Sequence, residues 1–170
     1  MTRPVLVLVG PPGSGKSTIG RMSARRLGVA FRDTDADVVA TAGKPINEIF
    51  IDDGEQHFRR LEEQAVEDAL TQHDGVLSLG GGAVLSATTR QRLAGHEVVL
   101  LDVDLSTAAR RVGLNRDRPL LAINPRATLA LLLRERMPLY LEVATRVVKT
   151  GDTSPGQVVE QVLAGLGSAG

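Results

Sequence analysis

The sequence predicts an α/β fold in which a five-stranded parallel sheet is flanked by helices. Two observations carry that reading. Short apolar runs alternate with stretches of helical periodicity, the pattern that crossover helices impose on a parallel sheet. Three of the runs, Val5–Val9, Val76–Leu79 and Val98–Val103, are almost continuously apolar, as strands covered on both faces should be. The chain has 170 residues, enough for one domain with a proper core, since about 150 residues already bury roughly 68–70% of their unfolded surface.

The elements follow in chain order. Strand Val5–Val9 leads to helix Lys16–Leu27, which Gly28 closes as a C-cap. Strand Ala30–Arg32 leads to helix Asp35–Ala42, with Gly43 in the same capping role. Helices Ile46–Asp53 and Glu55–Gln72 come next. In the second, Phe58, Leu61, Ala65 and Ala69 recur at helical spacing and mark the buried face. Strand Val76–Leu79, helix Ala87–Leu93, strand Val98–Val103 and helix Leu105–Val112 continue the alternation. Asn124-Pro125 opens helix Pro125–Val143 and Ser154-Pro155 opens helix Pro155–Leu166. Each pair sets a capping side chain before a proline at the first helical position. The fifth strand, Arg146–Lys149, lies between them. Pro138 predicts a kink or a break in its helix, because proline removes a backbone donor and clashes with the preceding turn. Gly113–Ile123 has no clear pattern, and a loop of that length in a compact domain is often a functional lid.

Composition narrows the function. Lys+Arg and Asp+Glu both number 20, so the formal net charge is zero and nothing favours bulk binding to nucleic acid or a membrane surface. Four aromatics, Phe31, Phe50, Phe58 and Tyr140, are few for stacking on bases. There is no cysteine, which excludes disulfides, a thiol nucleophile and thiolate metal sites, and three scattered histidines make a zinc cage improbable. No apolar run approaches the 18 or so residues that a membrane span needs. Val5–Val9 is too short for a signal peptide and is followed by Gly10-Pro11-Pro12-Gly13 rather than a cleavage site. A cytoplasmic protein is expected. Lysine occurs only at positions 16, 44 and 149, so its placement is informative.

Lys16 falls in Gly10-Pro11-Pro12-Gly13-Ser14-Gly15-Lys16-Ser17, which fits G-x-x-x-x-G-K-[ST] at every fixed position between a strand and a helix. Glycines let the backbone curl so that successive N–H groups converge on phosphate oxygens, and the helix N-terminus adds its positive end. Lys16 reaches the β- and γ-phosphates, and the Ser17 hydroxyl can ligate Mg²⁺. The expected architecture is thus the three-layer P-loop NTPase fold. Nucleotide contacts are expected from Gly13, Ser14, Gly15, Lys16, Ser17 and Thr18.

Acceptor chemistry must come from elsewhere. Asp33-Thr34-Asp35 ends the second strand, on the sheet edge where ligands of parallel sheets bind. One carboxylate could face a metal and the other a substrate hydroxyl; equally, either could cap the next helix. Gly80-Gly81-Gly82 ends the third strand, where bare backbone N–H groups could meet a small ligand or merely make a flexible turn. Arg59 has Glu55 and Glu63 at i−4 and i+4, so a solvated ion pair would also explain it. Nothing selects Arg60. Arg136, beside Glu135, sits near the Pro138 interruption. Asp102, closing the fourth strand, competes with Asp33 for the magnesium role.

Taken together, the phosphate loop, Asp33-Thr34-Asp35, Phe58-Arg59-Arg60, Gly80-Gly81-Gly82, Arg118-Pro119-Leu120-Leu121 and Arg136-Met137-Pro138-Leu139-Tyr140 resemble, in order and spacing, the shikimate kinase family. The resemblance covers the chain from Gly10 to Pro155. It implies one kinase domain over residues 1–170, with a substrate-binding helical region at about 33–60 and a lid at about 113–124. It further implies transfer of the γ-phosphoryl of ATP, with Mg²⁺, to the 3-hydroxyl of shikimate on the way to chorismate and the aromatic amino acids; a monomer is expected. By the same resemblance Lys16 and Ser17 hold phosphate and Mg²⁺, and Asp33 attends the metal through water. Asp35 binds the shikimate hydroxyls and accepts a proton. Arg59 and Arg136 clamp the carboxylate beside Gly80, Gly81 and Gly82. Arg118 closes over the phosphates as part of the catalytic set with Asp35 and Lys16, and Arg111 and Pro155 flank the adenine. Planar guanidinium groups suit a carboxylate ligand. A kinase for another hydroxylated acid and a nucleotide-sensing domain are the competing readings; a sensor gives no reason to keep Asp35, Arg59 and Arg136 together.

Overall fold

Residues 2–112 and 125–166 are described in the computed structural model. Arg118, the other residues of the expected lid and the Asn124 cap lie outside them. Five strands, β1 (Leu6–Val9), β2 (Phe31–Asp33), β3 (Val76–Ser78), β4 (Val98–Val103) and β5 (Arg146–Thr150), form one sheet of order β2-β3-β1-β4-β5. Every neighbouring pair is parallel. The connections are helical: α1 (Lys16–Leu27), α2 (Thr34–Ala42), α3 (Ile46–Asp53), α4 (Glu55–Gln72), α5 (Ala87–Arg92), α6 (Leu105–Val112), α7 (Pro125–Val143) and α8 (Pro155–Ala164).

Alternation along the central strands builds the three layers. Val7 and Val9 of β1, with Val98 and Leu100 of β4, pack against Val66, Ala69 and Leu70 of α4 and Tyr140 of α7. Leu6 and Leu8, with Val99 and Leu101, face the other way onto Ile19 and Ala24 of α1 and Val158, Val159 and Val162 of α8. Each such fully buried aliphatic side chain contributes roughly 1.5–3 kcal/mol through the water it sheds. Two smaller clusters flank the main core. Val103, Ala108, Val112 and Leu129 join α6 to α7. Val38, Ile49, Phe58 and Ala65 join α2, α3 and α4, where the Phe50 and Phe58 rings lie 4.8 Å apart.

Element ends moved where side chains compete with the backbone. Val5 is 43% exposed and falls outside β1. β2 starts one residue later than expected and ends on Asp33, whose side chain then caps α2. Gly28 and Gly43 do adopt the left-handed C-cap conformation, and Ser154 forms a capping box with Gln157 at α8. Pro138 does not break α7: the helix runs through it to Val143. The missing N–H costs one helical bond, and burial of Tyr140 just beyond it holds the last turn in the core.

Candidate active site

The order of the sheet sets β1 at its centre, so the loop leaving β1 lies between the ends of β3 and β4. Gly13 in that loop has φ +82°, and a Cβ there would lie 2.8 Å from the Ala108 carbonyl oxygen of α6; only glycine meets both constraints. Lys16 Nζ donates to the carbonyls of Gly10 (2.8 Å) and Pro11 (3.1 Å), so its charge is held inside the curl of the loop. Arg111 Nη1 donates to the Gly13 carbonyl at 2.9 Å, and Thr150 Oγ1 to the Ser14 carbonyl at 3.3 Å. A cavity of about 250 Å³ opens here, lined by Gly13, Gly15, Lys16, Ser17, Thr18 and Arg111 on one side and by Asp33 and Asp35 on the other. Ser14, although in the loop, is buried with its hydroxyl unpartnered among the described residues.

Asp33 does both things that were open in the sequence. Oδ1 accepts from the Asp35 amide at 2.9 Å and caps α2, while Ser17 Oγ donates to Oδ2 at 3.4 Å. Burial and the neighbouring Asp35 charge push the Asp33 carboxyl above its ordinary range, against the opposing pull of the Asp35 amide, Lys16 and Ser17. Asp102 instead lies within β4, in register with Lys149, and does not line this cavity.

On the far side of Asp35 the acceptor residues come together. A Cβ on Gly80 would lie 2.5 Å from Asp35 Oδ1 and 3.0 Å from Glu62 Oε2, and one on Gly82 would run into the Arg59 guanidinium. The three glycines therefore form a wall against which two carboxylates and a guanidinium lie directly. At Gly80 the backbone N–H that the sequence offered to a ligand is already used within the protein. The Gly80 N–H donates to Thr34 Oγ1 at 3.0 Å, and Tyr140 Oη donates to the Gly81 carbonyl at 2.6 Å. Arg59 pairs with Glu62 at 2.7 Å and reaches Glu55 at 3.5 Å, leaving its buried Nε unpartnered among the described residues. The expected Glu63 partner turns away to accept from Ser86 Oγ. Arg136 is only 6% exposed and is not paired with Glu135 among the described residues. It stands one helical turn before Tyr140 on α7, on the same face, and its charge reaches Glu62. Burial pushes the Glu62 carboxyl up, and Arg59 and Arg136 partly offset that shift.

Glu62, Thr34 and Tyr140 were thus not singled out from the sequence. Glu62 had a signal: it is four residues after Phe58 and three before Ala65, a charged residue inside an apolar stripe. Thr34 and Tyr140 act through contacts 46 and 59 residues away in the chain, which spacing does not reveal. Arg60 is exposed, and Pro155 is exposed at the first position of α8 rather than against the cavity.

A parallel sheet with a phosphate-binding loop on its central strand, and an acidic and basic cleft immediately beside it, defines a P-loop kinase of small molecules. The comparisons with known proteins narrow this further. The family model for shikimate kinase matches residues 12–166. A shikimate kinase from Salinispora arenicola is 61% identical over 95% of this chain and 96% of its own. One from Salinispora tropica is 60% identical over 97% and 99%. The structure of shikimate kinase from Acinetobacter baumannii in complex with shikimate superposes with a TM-score of 0.93 at 33% identity, covering 99% of this chain and 95% of that one. The chain belongs to the shikimate kinase family, and is an ATP-dependent kinase.

Proposed function

We propose that the protein transfers the γ-phosphoryl group of ATP to the 3-hydroxyl of shikimate, giving shikimate 3-phosphate and ADP. The observation that carries this is the convergence of Asp35, Arg59 and Glu62 on the Gly80–Gly82 wall, next to the phosphate loop, with the buried Arg136 within electrostatic reach of Glu62. Arg59 and Arg136 bind the carboxylate of the acceptor, each through charge-assisted hydrogen bonds. Asp35, between that clamp and the phosphate cavity, orients the ring hydroxyls and takes the proton of the attacking one. The loop amides and Lys16 hold the triphosphate, Lys16 exchanging the Gly10 and Pro11 carbonyls for phosphate oxygens. Arg118 closes over the phosphates from the lid at 113–124 and helps exclude water, so that ATP is not hydrolysed. Residues 33–60 supply most of the acceptor region. Arg111, bonded to the Gly13 carbonyl of the loop, meets the base, with Pro155 contributing from the start of α8.

Ser17 and Asp33 suit Mg²⁺: a hydroxyl and a carboxylate, both hard oxygen donors, meet at the cavity wall, and this ion uses few protein ligands beside substrate phosphates. Asp33 would hold it through water. When bound, the ion neutralises charge on the transferring phosphoryl group. A chain without cysteine suits the reducing cytoplasm, where the protein acts as a monomer; no helix among the described residues is long and apolar enough to cross a membrane. A coupled assay of ADP release tests the function: with Mg²⁺·ATP, release should depend on added shikimate. Equal release without it, or with any sugar acid in its place, would sink the reading.

A further inference from the structure

Helix α7 is tied to the acceptor wall at two points. Tyr140, 1% exposed, donates its hydroxyl to the Gly81 carbonyl at 2.6 Å. Two residues later Glu142 pairs at 2.6 Å with Arg90, which in turn donates to the carbonyls of Val84 (2.7 Å) and Leu85 (3.2 Å) in the 3-10 turn just after the wall. The wall is held from the other side by Thr34, lying between the two aspartates. A ring in the core needs no hydroxyl, and a buried one is retained at a desolvation cost unless its hydrogen bond is made. The Tyr140 bond therefore fixes one distance: that between the Gly80–Gly82 wall and the turn of α7 carrying Arg136.

We infer that Tyr140 is a positioning residue for the acceptor, its hydroxyl setting the gap between Arg136 and the glycine wall, with Arg90–Glu142 as a weaker second tether. Resting on the proposed function, the inference concerns only which residues set the geometry of the clamp. A planar guanidinium binds a carboxylate through two parallel bonds, so a gap wrong by a fraction of an ångström loses one of them. ATP contacts are made on other elements and are untouched.

Titration calorimetry with shikimate and steady-state kinetics on the full chain test this. Tyr140→Phe, which keeps the ring in the core, should raise the shikimate Kd and KM at least fivefold with the ATP KM within twofold. Arg136→Lys alone should also weaken shikimate. If Tyr140 works through Arg136, the two fold-losses will not multiply in the double variant. A purely structural role moves stability and leaves both acceptor constants within twofold; that result, or fully multiplicative losses, overturns the inference. Should Tyr140→Phe not fold, Arg90→Gln cuts the second tether and should raise the shikimate KM two- to threefold, no change counting against. Wild-type protein that binds no shikimate defeats the functional reading itself, and is told apart because no variant is needed to see it.

Discussion

Replacing Arg59 by alanine leaves the Glu62 carboxylate, 3% exposed, with one fewer cation beside it. Two consequences follow at the residue scale. Loss of a charge-assisted clamp should weaken shikimate about 10- to 100-fold, from roughly 1.5–3 kcal/mol per charged hydrogen bond, with ATP KM nearly unchanged. Stability should also acquire a steeper pH dependence. Burial raises the folded-state pKa of Glu62 above its ordinary 4.5, so between 4.5 and that raised value the folded state holds more protons than the unfolded one. Stability therefore falls as pH rises through that window. Without Arg59 the window reaches further up, and urea midpoints of Arg59→Ala should drop more between pH 5 and 7 than those of the parent chain. Adding Glu62→Gln should flatten the difference; an unchanged slope in the double variant would show that Glu62 is not the titrating group. For Asp35→Asn, turnover should fall by about 10²–10⁴ with ATP affinity retained, since a positioned base contributes on that order. Near-normal turnover would remove Asp35 from the chemistry. Asp35, Arg59 and Arg136 were picked out only through the resemblance across several motifs, because taken singly each was equally well explained as a helix cap or a surface ion pair. Which acid Arg59 pairs with was not legible: Glu62 and Glu63 differ only in helical phase.

Among the elements, α6 shows how a cap reaches the nucleotide. Asp104 Oδ1 accepts from the Thr107 amide and Oδ2 from the Thr107 hydroxyl, both at 2.8 Å, securing the first turn. The same helix packs Ala108 and Val112 against Gly13 and carries Arg111. Asp104→Ala should lower the thermal midpoint through the lost cap and raise the ATP KM severalfold while leaving shikimate affinity alone. A KM for ATP at the parent value would mean that the loop holds its shape without α6. The two Thr107 donors hold the Asp104 pKa below 3.8. That contribution is present above pH 3.8 and fades as pH drops through the lowered value, which thermal melts at pH 3 and 5 would show. Strands and helices were legible almost throughout, because apolar period and capping residues agree. The break that Pro138 could have made did not occur, since a local rule about donors says nothing of how much the core gains by keeping Tyr140 buried.

For the whole molecule, strand order is what makes a site of these parts. Sequence shows a phosphate loop after β1, two aspartates ending β2 and three glycines ending β3; pairing β3 between β2 and β1 brings all three ends to one edge. Arg136 arrives from α7, far along the chain, by packing of that helix on the same sheet face. Such long-range adjacency has no local signature, and only the resemblance across several motifs anticipated it. The claim at stake is that a carboxylate clamp and a triphosphate cradle share one cavity edge. Initial rates of ADP release with shikimate and with its methyl ester, at saturating Mg²⁺·ATP, test it most directly. The free acid should be turned over, while the ester should show kcat/KM at least 100-fold lower at an unchanged ATP KM. Equal use of ester and acid would contradict the clamp, whatever the affinity for ATP.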